Sequence, residues 1–240
     1  MPWSQRATNF VFNEVKTLMA NPNFSVVRDT QSAISANKVL KNTYLLLSAT
    51  LAFSAVMAAV SMALQMPPLV YLGSVIVAML LGIFVLPRQA ESANGVGVIF
   101  LITGLLGFGL GAILTQYMAL PKGPEIIATA FAGTAVIFLG LSGYALTSKQ
   151  NFNFLGGFLF AGMMVMVVAM IANLFFAMPA LALAISGGII LLMSGFILFD
   201  TSRIARGEET NYIMATYGIY LSIFNIFISL LQILGIMGDD

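Results

Sequence analysis

The sequence contains neither cysteine nor histidine. It therefore offers no zinc, haem or iron–sulfur site of the usual ligand type, no Ser–His or Cys–His nucleophile and no disulfide framework. Charge is scarce as well, because only 8% of the 240 residues are Asp, Glu, Lys or Arg, whereas a soluble domain carries roughly a quarter. The formal net charge of +1 gives no electrostatic case for nucleic-acid binding. These deficits argue against an enzyme and against a soluble chain.

Long apolar runs take the place of the missing charge, and 60% of the residues are hydrophobic. About 20 helical residues cross the ~30 Å hydrocarbon core of a bilayer. Seven runs of that length lie at about 43–64, 69–87, 95–118, 125–147, 152–176, 180–203 and 211–236. The breaks between them hold the Pro, Gly and charged residues expected at helix ends. We predict an all-α integral membrane protein, a seven-transmembrane-helix bundle whose short connections make successive helices antiparallel neighbours.

The distribution of Lys and Arg predicts the orientation of the bundle. With seven crossings, one side of the membrane carries nine of these residues and the other carries only Lys122; the nine are Arg6, Lys16, Arg28, Lys38, Lys41, Arg88, Lys149, Arg203 and Arg206. Positive residues collect on the cytoplasmic side of membrane proteins. We therefore expect a cytoplasmic N-terminus and a C-terminus on the opposite side.

The chain divides into a cytoplasmic tail, residues 1–42, and a transmembrane domain, residues 43–238. Apolar residues recur in the tail at three- and four-residue steps, which predicts an amphipathic helix over 3–19; they are Trp3, Ala7, Phe10, Val11, Val15, Leu18 and Met19. Such a helix either lies on the lipid surface or docks onto a partner. The polar residues 21–37 read as a flexible linker, and the tail lacks the pattern of a cleaved signal peptide.

Apart from Glu125, which lies in the first turn of the fourth predicted span, Asp200 is the one acidic residue within a predicted span. An ionisable group is costly there, and the negative end of the helix dipole disfavours a carboxylate near a C-terminus by ~0.3–1 kcal/mol. One interpretation is a local ion pair with Arg203 or Arg206 at the membrane surface. The other is a buried carboxyl that senses protons or binds a cation. With no second aspartate in the spans, an aspartyl protease of the membrane is excluded.

The last predicted helix carries a polar stripe, which we define as Gly218, Ser222, Asn225, Ser229 and Gln232. Steps of four, three, four and three residues place these positions on one face. Because amide and hydroxyl groups would lack partners in lipid, the stripe must face protein or water. It is either a dry, hydrogen-bonded helix interface or one wall of a polar conduit. Both interpretations predict that the last helix is central.

Five stretches give the sequence a family resemblance: GFILFDTSRI at Gly195–Ile204, ETNY at Glu209–Tyr212, YLSIFNIFISLLQILG at Tyr220–Gly235, NKVLKNTY at Asn37–Tyr44 and FNFLGG at Phe152–Gly157. The chain resembles the Bax inhibitor-1 (TMBIM) family, and within it the bacterial YccA-like branch. The resemblance covers nearly the whole chain from about Ser35.

The resemblance implies a multi-pass protein of the bacterial inner membrane with a periplasmic C-terminus and no cofactor. Members of this branch act as inhibitor or substrate of the FtsH protease, which associates with the HflK–HflC complex. Other members of the family are pH-sensitive calcium leak channels, in which two aspartates share a proton. The first aspartate falls on Asp200, the second falls on Ser222, and a family arginine corresponds to Arg88. A serine cannot act as a charged partner, which weakens the leak-channel alternative and leaves FtsH modulation, without catalysis, as the expected function.

Overall fold

The computed structural model describes residues 22–148 and 150–238, and this part of the chain is helical. It contains seven helices that are long and apolar enough to cross a membrane: α1 (Pro22–Ala63, apolar from Ile34), α2 (Leu69–Gln89), α3 (Asn94–Met118), α4 (Gly123–Ser148), α5 (Leu155–Phe176), α6 (Pro179–Ala205) and α7 (Tyr212–Met237). The predicted fold class is confirmed. The bounds of α2 to α7 agree with the predicted spans to within three residues at either end.

The start of α1 corrects the prediction of a flexible linker over 21–37. This helix begins at Pro22 and has 42 residues, so it is about 63 Å long, twice the hydrocarbon thickness. Proline is tolerated in the first turn of a helix, and neither Gly nor Pro interrupts the chain between Asn23 and Ala63. The polar residues of this stretch therefore continue the helix. The amphipathic helix predicted over 3–19 lies outside the described residues.

Burial separates inner helices from peripheral ones. Half of the most apolar stretch of α3 and 44% of that of α7 are buried, against 6% for α5. Helix α7 contacts α1, α3, α4 and α6, whereas α5 packs chiefly on α6. The prediction that the last helix is central is confirmed, with α3 as a second inner helix.

Helix α1 packs most extensively on α3, not on its sequence neighbour α2. A Cβ added at Gly107 of α3 would overlap the Ser54 carbonyl of α1, so only glycine lets the two backbones approach this closely. One crossing separates α1 from α3, and the two helices run in the same direction. The expectation that all successive helices are antiparallel neighbours is wrong for α1 and α2 and for α4 and α5.

A π turn at Leu81–Val85 interrupts α2 just before Pro87. Proline has no N–H and its ring crowds the carbonyl four residues earlier, so a regular α-helix cannot continue through this point. Within the π turn, buried Gly82 lies against the Tyr217 hydroxyl of α7. The irregular turn thus packs α2 onto the same end of α7 that faces Asp200.

Candidate functional site at the charged end of the bundle

Asp200 lies in the penultimate turn of α6 and its side chain is half-buried against α7. A Cβ at Gly218 would lie 2.8 Å from the Asp200 Oδ2 atom. Gly218 therefore leaves the space that the carboxylate occupies. Among the described residues, none donates a hydrogen bond to this carboxylate. The Asp200 carboxylate thus lies between α6 and α7 without a hydrogen-bond donor among the described residues.

The local ion pair with Arg203 or Arg206, one of the two interpretations of Asp200, is not formed. Arg203 pairs with Glu209 at 3.6 Å, and Arg206 pairs with Glu208 at 2.8 Å. The reason is the chain reversal after α6, where Gly207 adopts φ 72° and the backbone N–H groups of Glu208 and Glu209 donate to the Arg203 carbonyl. This left-handed position favours glycine. It folds both glutamates back over the helix end, nearer to the arginines than Asp200 is.

Arg206 is the centre of a network that sequence reasoning missed, which we call the Arg206 clamp and define as Gln150, Asn153, Ser202, Arg206 and Glu208. The guanidinium donates to the Gln150 carbonyl at 3.0 Å, to Asn153 Oδ1 at 3.0 Å and to Ser202 Oγ. Asn153 Nδ2 in turn donates to Glu208 Oε2 at 2.8 Å. The clamp joins the connection before α5 to the turn after α6.

The Arg206 clamp also fixes the charge of Glu208. The hydrogen bonds from Arg206 and Asn153 lower the pKa of Glu208 from its ordinary value of 4.5 to about 2. The sequence holds one signal for this pair, a glutamate two residues after an arginine across a glycine turn. It holds none for Asn153, which lies more than fifty residues away.

Three hydroxyl groups from three helices meet beside Asp200. Tyr44 of α1 contacts Ser142 of α4, and Ser142 Oγ lies 3.3 Å from Oγ1 of Thr201 on α6. Thr201 and Ser142 are buried. The three residues are far apart in the sequence and share no motif, so the sequence gives no sign that they meet. They tie α1 and α4 to the segment that carries Asp200.

The polar stripe of α7 faces the protein interior, with Ser222 and Ser229 buried. The Ser222 hydroxyl donates to the Gly218 carbonyl at 3.1 Å, and Asn225 Nδ2 donates to the Leu221 carbonyl at 2.8 Å. Gln232 Oε1 accepts from Ser186 of α6 at 2.8 Å. Two donors thus return to their own helix and one contact crosses to α6, which favours a packed interface.

The remaining predicted site residue, Arg88, is exposed near the end of α2. It forms no ion pair with the carboxylates of the described part of the chain. The structure therefore brings Asp200 and the stripe together, with Arg203 and Arg206 nearby, and leaves Arg88 apart. Within the described ranges, no group of three or more acidic side chains is arranged to hold a metal ion.

The fold and this site define the class as a polytopic α-helical membrane protein in which one carboxylate, that of Asp200, packs at the interface of the last two helices. Residues 36–239 match the family described as "Inhibitor of apoptosis-promoting Bax1". The chain belongs to this Bax inhibitor-1 family.

Curated relatives are similar over most of their length. A protein of Vibrio cholerae, named an uncharacterized membrane protein, is 48% identical over 92% of this chain and 100% of its own. "Modulator of FtsH protease YccA" of Escherichia coli K12 is 47% identical over 88% of this chain and 96% of its own. "Inner membrane protein YccA" of Escherichia coli O6:H1 has the same identity and coverage. The protein is thus an inner-membrane protein similar to YccA.

Proposed function

We propose that this protein modulates the FtsH membrane protease through protein–protein contacts, as inhibitor or substrate, with no catalysis of its own. The observation that carries the proposal is the 47% identity to a relative named as a modulator of that protease, over 96% of that relative. Competition for the protease is the proposed mechanism, since a protein that occupies the enzyme slows the degradation of other membrane substrates.

Residues 1–21, which come before α1 in the sequence, are the proposed contact. Helix α1 is about 63 Å long, and its apolar span begins only at Ile34, so its first turns stand outside the hydrocarbon. With nine of ten Lys and Arg on this side, we place it in the cytoplasm.

Deleting residues 1–21 tests the contact while leaving α1 intact from Pro22. We expect a longer half-life beside active protease and weaker co-purification with FtsH and the HflK–HflC complex. A matched variant that carries a Gly/Ser segment of equal length separates the effect of the tail's sequence from that of its length. Unchanged turnover and co-purification in both variants would reject the role of the tail.

A second candidate function is a cation leak at Asp200. The observation that favours it is the half-buried carboxylate, which has no hydrogen-bond donor among the described residues and lies beside the packed stripe. In liposomes loaded with a calcium dye, the leak should vary with pH, and Asp200→Asn should abolish that variation. Glu125→Gln, an exposed acid in the first turn of α4, is the matched control. A flat response of the unchanged protein rejects this candidate.

A further inference from the structure

An apolar groove lies on the lipid-facing surface between α1 and α3. Its volume is about 360 Å³, and its lining is entirely apolar, with Phe53 and Met57 on α1 and Phe100, Leu101 and Phe108 on α3. Phe53 and Leu101 are 37% and 53% exposed, so the groove opens toward the bilayer and not into the core. Its occupant must therefore come from the membrane and must be apolar where it enters.

The depth of the groove follows from the ends of the membrane-crossing part of α1. Lys41 is the last charged residue of this helix and Gln65 follows the helix end. Phe53 lies midway between these two polar positions, which puts it near the centre of the bilayer. At 1.5 Å per residue, Lys41 lies about 18 Å and Lys38 about 22 Å from Phe53 along the axis. The hydrocarbon ends at ~15 Å from the centre and the headgroup layer at ~20–22 Å. Both lysines thus lie in or next to the headgroup layer when the groove is at the centre.

Both lysines of α1 are accessible to a lipid headgroup. Both are exposed, and the ion pairs of the described residues involve other side chains. At 3.6 residues per turn, Lys38 lies about 60° and Lys41 about 120° from Phe53 around the helix, so Lys38 is the nearer of the two to the groove. Basic residues in this layer attract anionic lipid headgroups. The lysines at the headgroup layer match the charged headgroup of an anionic lipid. The apolar groove near the bilayer centre matches the end of its acyl chain.

We infer that the groove between α1 and α3 binds an acyl chain of an anionic phospholipid, whose phosphate is held by Lys38 and Lys41. The lipid comes from the leaflet at which α1 enters the bilayer. Its chain spans the ~15 Å from the headgroup boundary to Phe53, and the two lysines select its charge. A zwitterionic lipid fits the recess equally well but is not favoured by the lysines.

Fluorescence quenching by lipids brominated on the acyl chain tests the site. Trp3, the single tryptophan, is replaced by Phe, and Phe53→Trp places the reporter in the groove. The protein is reconstituted in mixed bilayers containing brominated phosphatidylglycerol or brominated phosphatidylcholine. We expect phosphatidylglycerol to bind at the groove with a binding constant at least about threefold higher than that of phosphatidylcholine. A reporter on exposed Phe160 of α5, made as Phe160→Trp, should show no preference.

Charge variants identify the headgroup contact. The double variant Lys38→Gln, Lys41→Gln should reduce the preference at position 53 to about one. Lys122→Gln, a matched loss of an exposed lysine at the other end of the bundle, should leave it unchanged. Equal quenching by both lipids at position 53, no quenching there at all, or a preference that survives the double lysine variant would each overturn the inference.

Discussion

The Asp200 carboxylate of α6 packs against the bare backbone of Gly218 on α7, where a Cβ would lie 2.8 Å from Oδ2. One turn further along the same face, the Ser222 hydroxyl donates to the Gly218 carbonyl. The resemblance led us to expect the counterpart of a second aspartate at Ser222, and this hydroxyl bonds within its own helix. The site thus holds one carboxylate, Asp200, in the space left by the missing side chain of Gly218.

Gly218→Ala tests this fit. The added methyl must displace the carboxylate or separate the helices, and overpacking of this kind costs about 1–3 kcal/mol. We expect that loss in the free energy of unfolding, measured in detergent micelles. In an Asp200→Ala background the same substitution should cost much less, because the atom it strikes is gone.

Gly140→Ala is the control for this pair, since nothing lies within 4 Å of a Cβ at Gly140. It should be neutral or stabilising by up to about 1 kcal/mol, the helix preference for alanine over glycine. If Gly218→Ala costs the same in both Asp200 backgrounds, the carboxylate is not the neighbour that matters.

Hydropathy and the Pro, Gly and charged residues at helix ends were sufficient to predict seven spans and the ends of α2 to α7, because the bilayer imposes a minimum length on every helix that crosses it. The inward stripe followed from the cost of unpaired amides such as Asn225 in lipid. The partners of Arg206 did not follow, because they depend on a turn at Gly207 and on Asn153 from another connection. The helical start at Pro22 was also missed, since polar residues such as Asn37 are as compatible with a water-exposed helix as with a linker.

Gly107→Ala tests the close packing of α1 on α3. Here the added Cβ meets the backbone carbonyl of Ser54, which cannot rotate away as a side chain can. We expect a loss of about 3 kcal/mol or more in the free energy of unfolding. Gly97→Ala on the same helix meets nothing within 4 Å and should be tolerated. Equal tolerance of both substitutions would contradict the packing described for these helices.

Acid should weaken the Arg206 clamp through Glu208. Because the pKa of Glu208 is lowered from 4.5 to about 2, its stabilising contribution is fully present above pH 4.5 and is lost as the pH falls toward 2. The pair lies at the surface of the bundle, with Arg206 partly and Glu208 more fully exposed, so the loss is that of a surface pair, about 0.2–1 kcal/mol. Unfolding midpoints measured between pH 5 and pH 2 should show this loss of stability in the unchanged protein and in the control variant Glu91→Gln. The loss should be absent in Glu208→Gln.

Tyr220→Phe removes a hydrogen bond inside the bundle. The Tyr220 hydroxyl lies 2.6 Å from Ser54 Oγ, and Tyr220 is only 1% exposed. We expect a loss of about 1 kcal/mol in the free energy of unfolding. Ser54→Ala should cost a similar amount and the double variant little more than either. Tyr144→Phe, at an exposed tyrosine, is the control and should change the free energy of unfolding by less than about 0.5 kcal/mol. If the losses of Ser54→Ala and Tyr220→Phe add up in the double variant, the two hydroxyl groups do not stabilise the bundle through a common hydrogen bond.

The most direct measurement of the proposed function is the rate at which FtsH degrades a fixed membrane substrate in liposomes, with and without this protein. The account predicts that adding the protein slows degradation several-fold in proportion to its amount, that the two proteins are isolated together after solubilisation, and that an unrelated seven-helix membrane protein at the same density has neither effect. An unchanged degradation rate together with no co-isolation would contradict it.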